Sequence, residues 1–314
     1  PYARIIVDEA QRRGIATEII DAEGGFFRLT YGGRSVACRE SLTSLTTAIA
    51  MSICDDKRVT RRIVSAAGVR VPEQINVDEE DVARAFLGRY GSVVVKPARG
   101  EQGKGIAVGL TNWDDTKAAI DYAKTLCNEV ILEEFVEGVD LRIIVINYRV
   151  VAAAIRKPAT IIGNGKSTVR ELIEKQTRRR LAATGGESAI PMDSETERCL
   201  AAAGYSYDDV PEIDASIACR KTANLHTGGT IHDVTGILHR TLIDAAVSAA
   251  KAIEIPVTGI DFMVKTPTEP DYCFIEANER PGLANHEPQP TAARFIDLLF
   301  PQTVPANVRK ALQM

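Results

Sequence analysis

The stretch Val257-Thr258-Gly259-Ile260-Asp261-Phe262-Met263-Val264-Lys265, followed by Tyr272-Cys273-Phe274-Ile275-Glu276-Ala277-Asn278, reads as two neighbouring β-strands. Asp261 stands in an otherwise apolar strand. Glu276 and Asn278 are two residues apart, so both side chains leave the same face of theirs. An Asp, a Glu and an Asn amide oxygen together form a hard oxygen site. Such a set suits Mg²⁺, which takes one or two carboxylates and completes its shell with substrate phosphates. The plainer alternative is a solvated sheet face with an incidental charge pair. That alternative predicts alternation with other charges, which the surroundings of Asp261 do not show. Glu279-Arg280-Pro281-Gly282-Leu283 follows at once. Arg280 either holds an anionic intermediate just beyond the carboxylates or forms a structural salt bridge with Glu279 or Glu276.

Working back along the chain, strand Val93–Lys96 leads into Pro97-Ala98-Arg99-Gly100-Glu101-Gln102-Gly103-Lys104-Gly105-Ile106. Its glycines let backbone N–H groups approach an anion closely, and Lys96, Arg99 and Lys104 add positive charge. A surface hairpin with solvated lysines accounts for the same residues. A second glycine-rich stretch, Gly163-Asn164-Gly165-Lys166-Ser167-Thr168, is no G-x-x-x-x-G-K-[ST] phosphate loop, because position 160 is Thr and Pro158 breaks the preceding strand. It reads instead as a turn into a helix capped by Ser167 or Thr168, with Glu171 following. Between that stretch and the Asp261 strand lies Arg220-Lys221-Thr222-Ala223-Asn224-Leu225-His226-Thr227-Gly228-Gly229-Thr230. Asn224 fits a phosphate or metal cage. His226, His232 and His239 lack zinc-helix spacing, and His226 reads as a hydrogen-bonded loop residue.

Hydrophobic periodicity predicts helices at Tyr2–Arg13, Leu42–Cys54, Asp55–Ala67, Asp78–Leu87, Trp113–Cys127, Thr168–Arg180, Asp193–Ala203, His239–Ile253 and Thr291–Leu299. Further strands are expected at Ile15–Ile20, Glu129–Phe135, Leu141–Asn147 and Val150–Arg156, with a hairpin of Phe26–Thr30 and Arg34–Cys38 across Gly32-Gly33. Pro72 marks a boundary, and Pro97 should stop its strand. This mixture points to α+β rather than a doubly wound sheet.

The chain has 314 residues, which at roughly 100–200 per domain suggests two domains or one with lobes. Hydrophobic residues at 45% and charged residues at 25% exclude a disordered tail, a collagen and a disulfide mini-protein. The 38 Lys and Arg against 42 Asp and Glu give a net charge of -4, which argues against a general nucleic-acid binder. Aromatics at 5% are too few for a base-stacking surface, and Arg61-Arg62 and Arg178-Arg179-Arg180 are short runs on expected helices. The six cysteines form no CxxC pair, so free thiols in a reducing cytoplasm are expected. No apolar run reaches the roughly 18–20 residues that span a bilayer. Pro1–Ala10 carries Arg4, Asp8 and Glu9, unlike a signal peptide. A start at Pro rather than Met reads as processing or as a piece of something longer.

In this order the segments resemble the ATP-grasp superfamily of carboxylate–amine ligases. The matching series is Asp56-Lys57, Val94-Val95-Lys96-Pro97, the glycine loop, Val130-Ile131-Leu132-Glu133-Glu134-Phe135-Val136-Glu137-Gly138, Asp140-Leu141-Arg142, Asp261, and Glu276 through Gly282. It spans about residues 55–300. The stretches Val151–Pro158, Ile162–Thr168 and Asn224–Thr230 are similar to cyanophycin synthetase and to the ligase half of bifunctional glutathione synthetase. Arg220–Gly229 and Asn278–Pro290 resemble the N-acetylglutaminylglutamine synthetase family, bacterial enzymes of dipeptide osmoprotectant synthesis.

The resemblance implies two lobes clamping ATP, laid out as a pre-ATP-grasp segment at 1–70, a small lobe at 71–136 and a large lobe at 137–314 with the metal and substrate site. Lys57, Lys96, Gly103, Lys104 and Gly105 would meet the phosphates, Glu133, Glu134, Phe135 and Val136 the adenine, and Asp140 the ribose. Asp261, Glu276 and Asn278 would hold one or two Mg²⁺, replaceable by Mn²⁺. Lys96, Arg280, Arg220 and Asn224 would be catalytic, with Arg142, Lys221 and His286 beside Arg220 and Asn224 in substrate selection. The implied partners are small acid and amine substrates, an upstream acetyltransferase domain and a second copy of the chain, with no nucleic acid or membrane. Glutathione- or cyanophycin-type ligation and a non-catalytic nucleotide-binding domain are the alternatives.

Overall fold

The computed structural model describes residues 2–100, 104–183, 186 and 188–304. It divides into two compact units: Pro1–Pro72, Val136–Ala154 and Asp233–Met314 form the first, and Glu73–Phe135 with Ile155–His232 the second. Pro72 thus falls at a boundary. The compact units cut the rest of the chain differently from the lobes expected at 71–136 and 137–314, because residues 155–232 group with 73–135.

The first unit opens with α1 (Tyr2–Arg12) and a meander, β1 (Ala16–Asp21), β2 (Phe26–Tyr31), β3 (Arg34–Arg39) and β4 (Leu42–Thr43), paired in that order. Alternation sends Phe27, Leu29, Val36 and Cys38 into a core with Ile6 and Ala10 of α1. Fully burying such large aliphatic or aromatic side chains is worth about 1.5–3 kcal/mol each. The helix expected from Leu42 begins later. Leu42–Thr43 pairs with Cys38 and Arg39, and Thr47 starts α2 (Ala48–Asp55) by accepting the Ala50 N–H at 3.0 Å. α3 (Lys57–Ala66) follows directly.

The second unit contains β5 (Gln74–Asn76), α4 (Glu80–Tyr90), β6 (Val93–Pro97), β7 (Ala107–Leu110), α5 (Trp113–Leu126) and β8 (Val130–Glu134). Its sheet order is β5-β8-β6-β7, every pair antiparallel. Val93, Val95, Val130 and Leu132 pack beneath Ala83, Phe86 and Leu87 of α4 and Ile120 and Ala123 of α5. Pro97 does not stop β6 but ends it from within, opposite Val130. Pairing with β7 has already ceased at Val95, so the missing N–H interrupts no bond there.

After β9 (Val139–Ile146) and β10 (Arg149–Lys157) come β11 (Thr160–Ile162), α6 (Val169–Ala183), α7 (Ser194–Ala202) and β12 (Ser216–Ala218), which share a core of Ile161, Val169, Leu172, Ile173, Leu200 and Ile217. The expected capping box forms at α6: the Thr168 N–H donates to Glu171 Oε2 at 2.9 Å and the Glu171 N–H to Thr168 Oγ1 at 3.3 Å. The chain closes with β13 (Thr230–Asp233), α8 (Arg240–Ile253), β14 (Val257–Val264), β15 (Tyr272–Asn278) and α9 (Thr291–Leu299). A five-stranded sheet runs β13-β10-β9-β14-β15. The antiparallel pairing of β1 with β2, β2 with β3, β9 with β14 and β14 with β15 agrees with the α+β class. Among the described residues no helix is long and apolar enough to cross a membrane.

Asp56 joins α2 to α3 and caps the latter. It accepts the Arg58 N–H at 3.0 Å, and its carboxylate takes Arg58 Nε at 3.0 Å and Nη2 at 2.8 Å. The Arg58 side-chain hydrogen bonds outweigh burial and lower the Asp56 carboxyl from 3.8 to about 2. Asp56→Ala should therefore cost about 1–2 kcal/mol at neutral pH in urea denaturation. The Asp56 contribution is complete above pH 3.8 and is lost as pH falls towards 2, so wild type and variant should converge across that window.

Candidate functional site

In the first unit, β14 lies between β9 and β15. Arg142, Asp261 and Glu276 occupy one cross-strand row, with Asp261 opposite both of the others, and Asn278 lies opposite Gly259. Asp140 is two residues before Arg142 and so shares its face. The opposite face is apolar: Leu141, Ile143, Ile260, Phe262 and Val264 are buried, and α8 packs against β9 and β14.

A β-bulge builds this division. Register runs Asp261↔Glu276 and then Phe262↔Phe274, which leaves Ile275 as an extra residue. Without it, Phe274 would fall on the polar face. With it, Phe274 joins the apolar face, its ring 6.3 Å from that of Phe262, while Glu276 faces with Asp261. A Cβ at Gly259 would sit tightly here, 3.1 Å from Pro281 Cβ and 3.5 Å from Arg142 Cδ.

Asp261 is 2% exposed. Arg142 meets it with two parallel bonds, Nε to Oδ1 and Nη2 to Oδ2, both 2.7 Å. Asn278 Nδ2 lies 3.4 Å from Asp261 Oδ2 and 3.3 Å from the Gly259 carbonyl. Among the described residues no group of three or more His, Cys, Asp or Glu is placed to hold a metal. The donor set here is two carboxylates and an amide. Its chemistry fits a Mg²⁺ that brings phosphate and water ligands with it.

Arg280 takes neither expected partner. Its Nη1 lies 3.4 Å from Glu40 Oε2, and the next residue is tied to the same turn by Ser41 Oγ donating to the Pro281 carbonyl at 2.7 Å. Cys54 was not singled out by sequence reading. Burial first, then the nearby Glu279 and Glu276 carboxylates, push its thiol up to about 12, so it stays protonated. Lys57 opens α3, and Asp140 sits half-buried opposite Met263.

The second unit holds the other set. Lys96 and Glu133 are 6% and 4% exposed and form a buried ion pair, and Gln74 Nε2 donates to Glu133 Oε1 at 2.8 Å. The three side chains come from β6, β8 and β5. Gln74 and Val94 flank Glu133 in register, which puts Lys96 one diagonal step away. Gln74 lies on a three-residue strand with no periodic signature, so only pairing reveals it. Gly105 takes φ 74°, and a Cβ there would lie 2.8 Å from Leu126 Cδ1 and 2.9 Å from Pro97 Cγ. Lys104 is exposed in the same turn, and Gly103 lies outside the described residues. Glu134 is half-buried at the end of β8, and Phe135 after it is 38% exposed. Val136 opens the next segment of the first unit.

Arg220 pairs with Asp193, the cap of α7, and donates to Thr196 Oγ1 at 3.2 Å. Asn224 caps a single 3-10 turn by accepting the His226 N–H at 2.9 Å. The structure thus gives both local structural bonds. Lys221 Nζ donates to the Val108 carbonyl of β7 at 3.3 Å. His286 is buried at the end of another 3-10 turn. In the rejected phosphate loop, Asn164 Oδ1 accepts the N–H groups of Lys166 and Ser167, which an anion would otherwise need.

The ATP-grasp domain family matches residues 54–283. Cyanophycin synthetase of Trichormus variabilis is 33% identical, over 96% of this chain and 35% of its own length. The bifunctional glutathione biosynthesis protein of Clostridium perfringens is 28% identical, over 95% of this chain and 40% of its own. The crystal structure of a bifunctional glutathione synthetase from Pasteurella multocida superposes with a TM-score of 0.67 at 26% identity, covering 96% of this chain and 44% of that one. The chain therefore spans about a third to two-fifths of the curated relatives it matches.

The buried Lys96–Glu133 pair generates a test. Lys96→Met leaves a buried carboxylate without its cation and should destabilise the fold by about 3–5 kcal/mol. Lys96→Met combined with Glu133→Gln should recover most of that loss, read as urea midpoints for the four members of the cycle.

Proposed function

The chain belongs to the ATP-grasp domain family, and from that membership we propose an ATP- and Mg²⁺-dependent carboxylate–amine ligase. The observation that supports this most is the set Asp261, Glu276 and Asn278 on one face of β14 and β15, beside a bidentate arginine. ATP and its Mg²⁺ supply phosphoryl transfer to a substrate carboxylate, giving an acylphosphate that an amine then attacks with loss of phosphate.

The chain's own residues position and neutralise charge, and no protein nucleophile is needed. Asp261, Glu276 and Asn278 hold the cation. Lys57, Lys96, Lys104 and the backbone at Gly105 neutralise phosphate oxygens. Glu133 and the segment Glu134–Val136 meet the base, and Asp140 the ribose. Glu133 already holds Lys96, so its second task is to keep that ammonium in place within a buried site. Arg280, anchored by Glu40, stabilises the anion that forms as the amine attacks. Arg220 and Asn224 shape the substrate loop through their bonds to Asp193, Thr196 and His226.

For substrates, we take an N-acetylglutamine-type acid and a glutamine-type amine, on the resemblance of Arg220–Gly229 and Asn278–Pro290. Acetylation would be the work of another activity, and the compartment a reducing cytoplasm in which all six cysteines stay free. The 33% identity to cyanophycin synthetase favours a second reading, ligation onto an aspartate chain.

Incubation with Mg-ATP and a mixed pool of acids and amines, followed by mass spectrometry, separates the two. A glutamine dipeptide formed from N-acetylglutamine supports the first, and extension of an aspartate peptide the second. Lys96→Ala and Glu276→Ala should each lower amine-dependent ADP release by about 100-fold or more. Full activity in a folded sample of either variant would sink the assignment.

A further inference from the structure

Arg142 stands between the fold and the cation chemistry. Its side chain is 18% exposed and that of Asp261 3%. Both Asp261 oxygens accept from it at 2.7 Å. Across β9, β14 and β15 the row reads one cation and two carboxylates, a formal charge of -1 that would be -2 without the arginine. A hard divalent cation is drawn by carboxylate charge, and Mg²⁺ gives up its water reluctantly. A row this weakly anionic is a poor trap for a free ion.

We propose that Arg142 is a positioning residue that makes cation loading conditional on a polyphosphate. By neutralising Asp261 it keeps the site from retaining a free divalent ion. The ion is held only when phosphate oxygens add their negative charge to Glu276, Asn278 and Asp261. This rests on the reading of those three residues as cation ligands, and adds the order in which ion and nucleotide arrive. A purely structural arginine, bracing β9 against β14, makes a different forecast: its loss would weaken the fold and leave cation binding no tighter.

The test is a Mn²⁺ titration of the 314-residue chain, followed by the electron paramagnetic resonance signal of the free ion. Without nucleotide, Arg142→Gln should bind Mn²⁺ at least about tenfold more tightly than wild type. Adding Asp261→Asn to that variant should abolish the gain. With a non-hydrolysable ATP analogue, and after the Mn²⁺ that the analogue binds in a protein-free control is subtracted, wild type should itself tighten by about tenfold or more. A folded Arg142→Gln that binds Mn²⁺ no better than wild type overturns the proposal, as does a wild type indifferent to the nucleotide. Should Arg142→Gln lose its circular dichroism signature, Arg142→Lys decides. It keeps the charge but cannot form the fork, so it should gain about threefold, and equality with wild type overturns the proposal. No turnover enters these titrations. A chain that tightens as described yet releases no ADP with any acid and amine would sink the ligase reading while keeping this one.

Discussion

A carboxylate as deeply buried as Asp261 is stable in its charged form only where a cation reaches it, and Arg142 is the cation that does. The pair needs β9 and β14 in one register and the backbone of both strands held by pairing. It also dictates what the neighbouring strand must offer. Glu276 adds charge to the row rather than cancelling it, and the bulge at Ile275 is what turns Glu276 to this face while Phe274 returns to the core. One bulge thus serves packing and chemistry together.

The second unit solves a similar problem with a different cation. Lys96 is a compact ammonium on a flexible stem, and it is fixed by a carboxylate that Gln74 in turn fixes. Arginine at 142 grips in a fork, whereas lysine at 96 is gripped. The difference matches the tasks proposed for them. A guanidinium that neutralises a carboxylate can stay where it is, but an ammonium that neutralises phosphate must present its charge to a ligand.

The long elements were legible because their periodicity runs far enough to be read. Helix α9 spans the expected Thr291–Leu299, and α5, α8, β14 and β15 fall within a residue or two of expectation. The strands β5, β7, β11, β12 and β13 have three or four residues each and owe their form to partners distant in sequence. The helix expected over Leu42–Cys54 failed at its start, because pairing with Cys38 and Arg39 outcompeted helix propensity there. At the site, Glu276 and Asn278 could be placed on one face by parity alone. The ion pair of Arg280 with Glu40 could not be read from the sequence, because Glu40 lies 240 positions upstream and nothing local points to it.

Sequence by itself determined the α+β class, the ordered motifs from Asp56 to Gly282, and the residue types able to bind phosphate and a hard cation. Those follow from local periodicity and from side-chain chemistry, both of which are written in the residues themselves. Only the tertiary structure decided which charges meet: Arg142 with Asp261 across 119 positions, and Lys96 with Glu133 across 37. Strand register chooses those pairings. Register is settled by the whole sheet, where a single extra residue at Ile275 moves a side chain from one face to the other.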